Sequence, residues 1–455
     1  MRYKSTTSQK ESSRSAFYRV SAWLHLWLGL LTGIVMVIVC LTGCIWVFQE
    51  EITDLLEPET TIPYQAKPVL RPSQVMAIAA TAFPGKEAAY AMYRQGHTIE
   101  ATVGGRGKAG GSVQINPYTG QVVSVEKRKQ GQVGFFRWAL NGHRALWLPY
   151  PIGRPIVNYS TLIFIITLIT GMVLWWPQKW TKSTRERSFT IKWNGSTKRI
   201  NYDLHNVLGF YSLLVVMAIS TTGIVIGLDW FSKGFYWTTT GGRTMPEHRR
   251  GGMASDTLQP NRPYTNAQAV DLAWEMVARK HPDSKGFFMT FPSDKDQKGT
   301  IDISAYPSAG KFYDRLGYHF DRYTAAPIAH QDIDTVPFTQ SDFGDKLRRM
   351  NYDIHIGTVL GLPGKVLAFF ASLIGASLPV TGFIIWWGKG KKKGKKKGKP
   401  ARRTMSVAAT DETAATIATG TPPKPAFRPG QLQPKPVFTP ATSTAASSGL
   451  GAPEQ

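Results

Sequence analysis

Asn201-Tyr202-Asp203-Leu204-His205 and Asn351-Tyr352-Asp353-Ile354-His355 repeat one pattern, and each stands just before a long hydrophobic stretch. Those stretches are Asn206–Leu228 and Val366–Trp387, and two others, Leu24–Phe48 and Ile156–Trp176, match them. Each holds about 20 mostly apolar residues with no Lys, Arg, Asp or Glu, which is the length a helix rising about 1.5 Å per residue needs to cross hydrocarbon. The chain therefore reads as a mainly α membrane protein, a four-helix transmembrane bundle with both termini on one side.

Charge indicates which side. Of 455 residues with a net charge of +24, segments 1–22, 177–203 and 388–455 hold 25 Lys and Arg against 6 Asp and Glu. Cytoplasmic loops carry such an excess, so both termini are expected inside and residues 49–155 and 229–365 outside. The charge follows topology and anionic lipid rather than one folded module, which argues against nucleic-acid binding. Leu41-Thr42-Gly43-Cys44 has the form of a lipoprotein processing site. Thr-Gly recurs, however, at 170–171, 222–223 and 381–382, near the distal end of every other span, and close helix packing explains the repeat better. Cys40 and Cys44 share a helical face and read as small buried residues.

The two halves of the chain correspond. His25 precedes Thr42 by 17 residues, as His205 precedes Thr222; His143 precedes Thr170 by 27, and His355 precedes Thr381 by 26. Leu24–Gly29 aligns with Leu204–Gly209, and Thr170–Trp176 with Thr381–Trp387. Matching spacing and motifs together indicate an internal duplication. Each outward segment reads as a small α+β module. In the first, a helix over Ser73–Phe83 precedes strands at Ala89–Tyr93, Thr98–Val103, Ser112–Ile115 and Gln121–Val125, with a turn at Asn116–Gly120. In the second, a helix over Asn266–Lys280 precedes strands at Phe287–Phe291, Thr300–Ala305 and Gly317–Asp321. Modules this small are expected to lean on one another or on the bundle.

The chain accordingly divides into a cytoplasmic N-terminus (1–22), a first span (23–48), an outward domain (49–133), an interfacial helix with the second span (134–176) and a cytoplasmic loop (177–203). A third span (204–228), a second outward domain (229–346), an interfacial helix with the fourth span (347–387) and a basic tail (388–455) follow. Lys389–Lys399 is expected against anionic headgroups, and the tail from Pro400 to be disordered.

This topology places His25 and His205 near the inner face and His143 and His355 near the outer face. Two helices that each supply one imidazole are suited to holding a haem iron from both axial sides, so two haems are expected, one per face. Prolines at 149, 151 and 155, and Gly361-Leu362-Pro363-Gly364, predict that the outer pair sits on broken helix starts, nearer water. Asp203 and Asp353 are expected to cap helices, with a role beside the ligands as the alternative. Arg144, Arg348 and Arg349 are possible propionate contacts. His97, His248, His281, His319 and His330 read as surface residues, the last two as weaker contacts for substrate or metal. Trp230–Trp237 reads as an interfacial aromatic belt, with a platform for a bulky ligand as the alternative.

Together, Leu24–Gly29, Leu204–Gly209, Ile354–Gly364, Thr381–Trp387 and the turn Asn116–Gly120 give the chain a resemblance to the bacterial PepSY-associated transmembrane-helix family over residues 16–150, 151–229 and 262–388. That family includes inner-membrane ferric-siderophore reductases with two b-type haems. The resemblance implies haem iron ligands at His25, His143, His205 and His355, and two PepSY-like periplasmic domains. The function it implies is a haem-dependent oxidoreductase passing electrons to a periplasmic acceptor, a ferric siderophore in first place. The donor is expected to be another protein, a small cytoplasmic reductant or a quinol, because the sequence holds no flavin or nicotinamide fingerprint. The alternative is a membrane-anchored PepSY interaction or protease-regulating protein without redox activity, which leaves the paired histidines unexplained. Metal transport would favour acidic residues within the spans, and they hold none.

Overall fold

The structure, a computed structural model, describes residues 15–105, 109–246, 253–258, 262–330 and 332–397, with 389–397 described for backbone alone. The tail from Pro400, His248 and most of the N-terminal segment 1–22 lie outside the described residues. Helices follow the order α1 (Ala16–Val47), α2 (Gln49–Leu56), α3 (Pro72–Ala82), α4 (Phe135–Ala145), α5 (Tyr150–Trp175) and α6 (Lys182–Phe189). Then come α7 (Thr197–Asp203), α8 (Gly209–Gly227), α9 (Asp229–Thr239), α10 (Asn266–Lys280), α11 (Phe343–Ile356) and α12 (Leu362–Lys397). A turn of π-helix, Leu204–Leu208, joins α7 to α8. Strands are β1 (Ala88–Arg94), β2 (Ile99–Val103), β3 (Gly110–Ile115), β4 (Val122–Arg128), β5 (Gly286–Thr290), β6 (Ile301–Tyr306) and β7 (Leu316–Phe320).

Among the described residues, four helical stretches are long and apolar enough to cross a membrane: Ala16–Val47, Tyr150–Trp175, Thr197–Gly227 and Leu362–Gly388. They close a ring in which α1 packs on α5, α5 on α8, α8 on α12 and α12 on α1. Side chains such as Leu31, Ile34 and Leu214 are more than two-thirds exposed on its outside. That much bare hydrocarbon surface requires lipid, so the chain is a multi-pass membrane protein.

The two α+β modules are one layer. Their first strands pair, Ala91 opposite Met289, and the sheet runs β4-β3-β2-β1-β5-β6-β7 without a break. Each β-strand alternates its side chains between two faces, and α3 and α10 both lie on one of them. Val75, Ala79, Val270 and Val277 meet Ala91, Val113, Met289 and Ile303 there, all almost fully buried. Asp271 ties the two helices by accepting from Ser73 N at 2.9 Å and Ser73 Oγ at 2.6 Å. Neither module has a complete core alone, so the expected leaning takes the form of a shared sheet.

Two helix corners set the site on the sheet side of the bundle. The α4–α5 corner passes through Leu146 and Trp147, both in the left-handed region at φ 53° and 58°. There the Trp147 ring lies directly over Gly142, and Gly153 lies against the Ala145 carbonyl, so a Cβ at either glycine would collide. At the α11–α12 corner, Gly357 at φ 84° and Gly364 press backbone on backbone in the same way. Both breaks were expected; α5, however, begins at Tyr150 rather than after Pro155. Pro151 sits in its first turn, where a missing N–H is harmless.

Candidate functional site

Four imidazoles meet in two pairs inside the bundle. His25 on α1 faces His205 in the π-turn, with ring centres 6.2 Å apart and planes at 82°. His143 on α4 faces His355 on α11, with centres 6.0 Å apart and planes at 61°. The first pair borders a cavity of about 530 Å³ far from the sheet, and the second one of about 370 Å³ on the sheet side. Both linings are mostly apolar, and all four rings are half-buried. Between the cavities Met36, Phe164, Leu168, Val216 and Ala371 form a buried layer, and Phe164 borders both.

Each ring is seated in the same way on another helix. His25 donates from Nδ1 to the Thr167 carbonyl at 3.0 Å, His143 to Val39 at 2.8 Å and His355 to Ile219 at 3.0 Å. Every accepting residue lies three before the threonine of a Thr-Gly pair. His205 meets the fourth pair through the hydroxyl itself, Nδ1 to Thr381 Oγ1 at 2.9 Å. A Cβ built on the paired glycine would lie 3.0 Å from Cε1 of His25 at Gly171, 3.2 Å from that of His143 at Gly43, 3.2 Å from that of His205 at Gly382 and 3.1 Å from that of His355 at Gly223. Close helix packing was the expectation for these pairs; their particular use is to make room for an imidazole and hold its Nδ1. Leu41–Cys44 thus lies inside α1 as the seat of His143, and Cys44 Sγ donates to the Phe369 carbonyl at 3.4 Å.

The seating crosses in a fixed manner. Within the first half, α1 seats His143 while α5 seats His25; within the second, α8 seats His355 while α12 seats His205. Each facing pair then takes one imidazole from each half.

A carbonyl can only accept, so it fixes the proton on Nδ1 and leaves Nε2 as a bare lone pair. That is the state in which histidine binds a metal, and a carbonyl on the opposite nitrogen is the usual support. Two imidazoles on one iron, each at about 2 Å, put their ring centres about 6 Å apart. The observed separations and the apolar cavities fit a haem in each.

Polar groups border the sheet-side cavity. Arg144 donates to Tyr150 Oη at 2.8 Å, and Arg154 reaches the same hydroxyl and the Ile226 carbonyl, the latter at 3.0 Å. Arg154 and Asn158 both line the cavity and escape the sequence reading. Arg154 stands two residues before the charge-free run and looks there like a boundary marker.

Arg348 and Arg349 are not brought to the cavity. Arg349 is buried and donates to the carbonyls of Tyr313, Arg315, Ile333 and Val336 and to Ser341 Oγ, which clamps the loops before α11. Burial lowers the pKa of both guanidiniums, and the Arg315 charge lowers that of Arg348 further.

Asp203 and Asp353 cap no helix; Ser196 and Asp342 cap α7 and α11. Both carboxylates are 0 % exposed and hold the loops outside the bundle. Asp203 Oδ2 accepts from Arg199 Nε at 2.7 Å and Lys192 N at 3.2 Å. Asp353 Oδ1 accepts from Thr358 Oγ1 at 2.8 Å and Phe312 N at 3.0 Å. Burial pushes the Asp353 carboxyl up.

The remaining described histidines lie at the sheet and its connections. His319 Nδ1 lies 2.6 Å from Asp302 across the β6–β7 pair and its ring meets His330 edge-on; His281 bonds Tyr318 Oη at 2.6 Å, and His97 stands 3.8 Å from Asp54. Among the described residues, no three His, Cys, Asp or Glu side chains gather as a metal cluster. Trp230 and Trp237 lie exposed on α9, whose Tyr236 is buried and donates to Asp345 at 2.6 Å.

The sequence model for the PepSY-associated TM region matches residues 22–389, which takes in all four spans, both pairs of histidines and the sheet. No curated protein matches the chain.

Proposed function

We propose, from a chain that belongs to the PepSY-associated TM family, a two-haem electron-transfer protein of the bacterial inner membrane that reduces a periplasmic acceptor, in first place a ferric siderophore. The single observation that carries this reading is the fourfold seating of His25, His143, His205 and His355, each with Nδ1 occupied and each facing a partner at the separation of a doubly ligated iron. The excess of Lys and Arg in 177–203 supports a cytoplasmic side for α6 and α7 and a periplasmic side for the sheet. On this reading the outward modules arose by duplication and now share one sheet.

A haem in each cavity would supply a one-electron iron couple. The chain's own residues would hold and shield it. His25 with His205, and His143 with His355, would bind it through Nε2 in one tautomer, and the layer around Phe164 would keep water from the space between the cavities. Arg144 and Arg154 suit carboxylates at the sheet-side cavity. Taking one electron leaves the siderophore's iron as Fe(II), a softer and less charged ion that oxygen donors hold less well. No acid, base or nucleophile is required for that step.

The absorption spectrum of the purified protein tests the reading. Bands of b-type haem are expected at two per chain, and His205→Ala and His355→Ala should each leave one. Dithionite-reduced protein should be reoxidised by a ferric siderophore. A folded, colourless preparation from haem-replete cells would overturn the proposal and favour a PepSY interaction protein; unchanged absorbance with every ferric siderophore tried would remove the acceptor.

A further inference from the structure

At the end of the bundle opposite the sheet, the segment between α5 and α8 encloses a cleft of about 680 Å³. Its charged lining is Arg187, Lys192 and Arg199 against one carboxylate, Glu186. Trp193, 69 % exposed, forms part of the same lining. The volume falls within the range of about 300–1,000 Å³ typical of small-molecule sites.

Two connections tie this cleft to the His25–His205 cavity. The first is Asp203, which holds Lys192 and Arg199 from inside the bundle and stands two residues before His205. Its burial fixes both cations' backbone or side chain relative to the helix that carries the imidazole. The second is aromatic. Trp175 Nε1 donates to the Ser188 carbonyl at 3.2 Å, beside Arg187, and the Trp175 ring stacks on Phe210 with centres 3.8 Å apart and planes at 7°. Both rings line the far cavity. Phe189 packs edge-on to each of them.

We propose that this cleft binds a phosphate-bearing small molecule with a planar heterocycle, its phosphate on Arg187, Lys192 and Arg199 and its ring on Trp193. Guanidinium and ammonium groups form charge-assisted hydrogen bonds to phosphate, and an exposed indole face is a stacking surface. A phosphorylated flavin has this chemistry. That such a ligand serves as the electron donor rests on the reading under Proposed function; that it binds does not.

The test is equilibrium dialysis of flavin mononucleotide against the full chain in nanodiscs of neutral lipid. Saturable binding is expected, with riboflavin, which lacks the phosphate, about tenfold weaker or more. Lys192→Glu, Arg187→Glu and Trp193→Ala should each weaken the mononucleotide by about tenfold, and inorganic phosphate should compete. Equal retention of riboflavin and its phosphate, or binding indifferent to all three substitutions, would overturn the site. A lipid headgroup offers the same phosphate: loss of flavin mononucleotide binding in nanodiscs of phosphatidylglycerol would assign the cations to lipid and overturn the soluble ligand. Dialysis involves no electron transfer, so a colourless protein that binds the flavin through Lys192 would sink the haem reading and leave the cleft standing.

Discussion

His143 donates from Nδ1 to the Val39 carbonyl at 2.8 Å, and with that bond a span fixes the imidazole of a residue 104 positions further along. The carbonyl lies one turn before Thr42, and the glycine after that threonine leaves space for the ring. The same arrangement at two other places, with the Thr381 hydroxyl taking the carbonyl's part for His205, makes the seats, more than the histidines alone, the distinguishing feature of the bundle.

On the two-haem reading, filling a seat should empty one site. Gly43→Val puts methyl groups where Cβ alone would already stand 3.2 Å from His143 Cε1. Overpacking of this kind costs about 1–3 kcal/mol, enough to displace the ring. The haem-to-protein ratio of the purified variant should fall by half, and a ratio equal to wild type would remove the seat from the explanation.

On the same reading, loss of a single hydroxyl should be selective. Thr381→Val deprives His205 Nδ1 of its 2.9 Å partner and leaves the sheet-side pair untouched. Changing such a supporting group weakens metal-site affinity by about 10- to 100-fold. Transfer to apomyoglobin should accelerate for one haem of two; equal rates for both would contradict the assignment.

Asp203→Ala should destabilise more than its place at the end of α7 suggests. The carboxylate is fully buried whereas Arg199 is about one-third exposed, so the loss is smaller than for a wholly buried pair, about 2 kcal/mol. Asp353→Ala removes the acceptor for Thr358 and Phe312 and should cost about 1–3 kcal/mol. Thermal unfolding in detergent measures both, and unchanged midpoints would show the loops to be held by other means.

Acid should remove the contribution of Asp302. Burial raises its pKa, but hydrogen bonds from His319 and Thr300 outweigh that and hold the carboxyl below its usual range. A depressed folded pKa stabilises above the unfolded value, about 4, and the benefit disappears as pH falls through the folded value. Asp302→Asn should therefore lower the unfolding midpoint at pH 7, and its deficit should shrink steadily below about pH 4. A deficit independent of pH would show that shape, not charge, matters there.

Much of the architecture was legible from local pattern. Helix α10 occupies the expected residues, and each of the seven strands falls within two or three residues of its expected place, because period-two alternation and turn residues are local signals. The regular distances from histidine to Thr-Gly were visible as well, although their purpose was not. Arg349 illustrates the limit: beside a motif histidine it looks available, yet five oxygens from the β6–β7 and β7–α11 connections take up its guanidinium. Asp203 and Asp353 look like helix caps until the loops that they hold are seen.

From its sequence alone the chain determined which segments can lie in hydrocarbon, where its imidazoles fall along them and that its halves match, since apolar length and spacing are properties of a single strand of covalent chain. Only the tertiary structure decided that β1 meets β5, that each half seats its own histidines and that each pair draws one imidazole from either half. Those relationships join residues more than a hundred positions apart, and only the packing of four spans against one another brings them within a hydrogen bond.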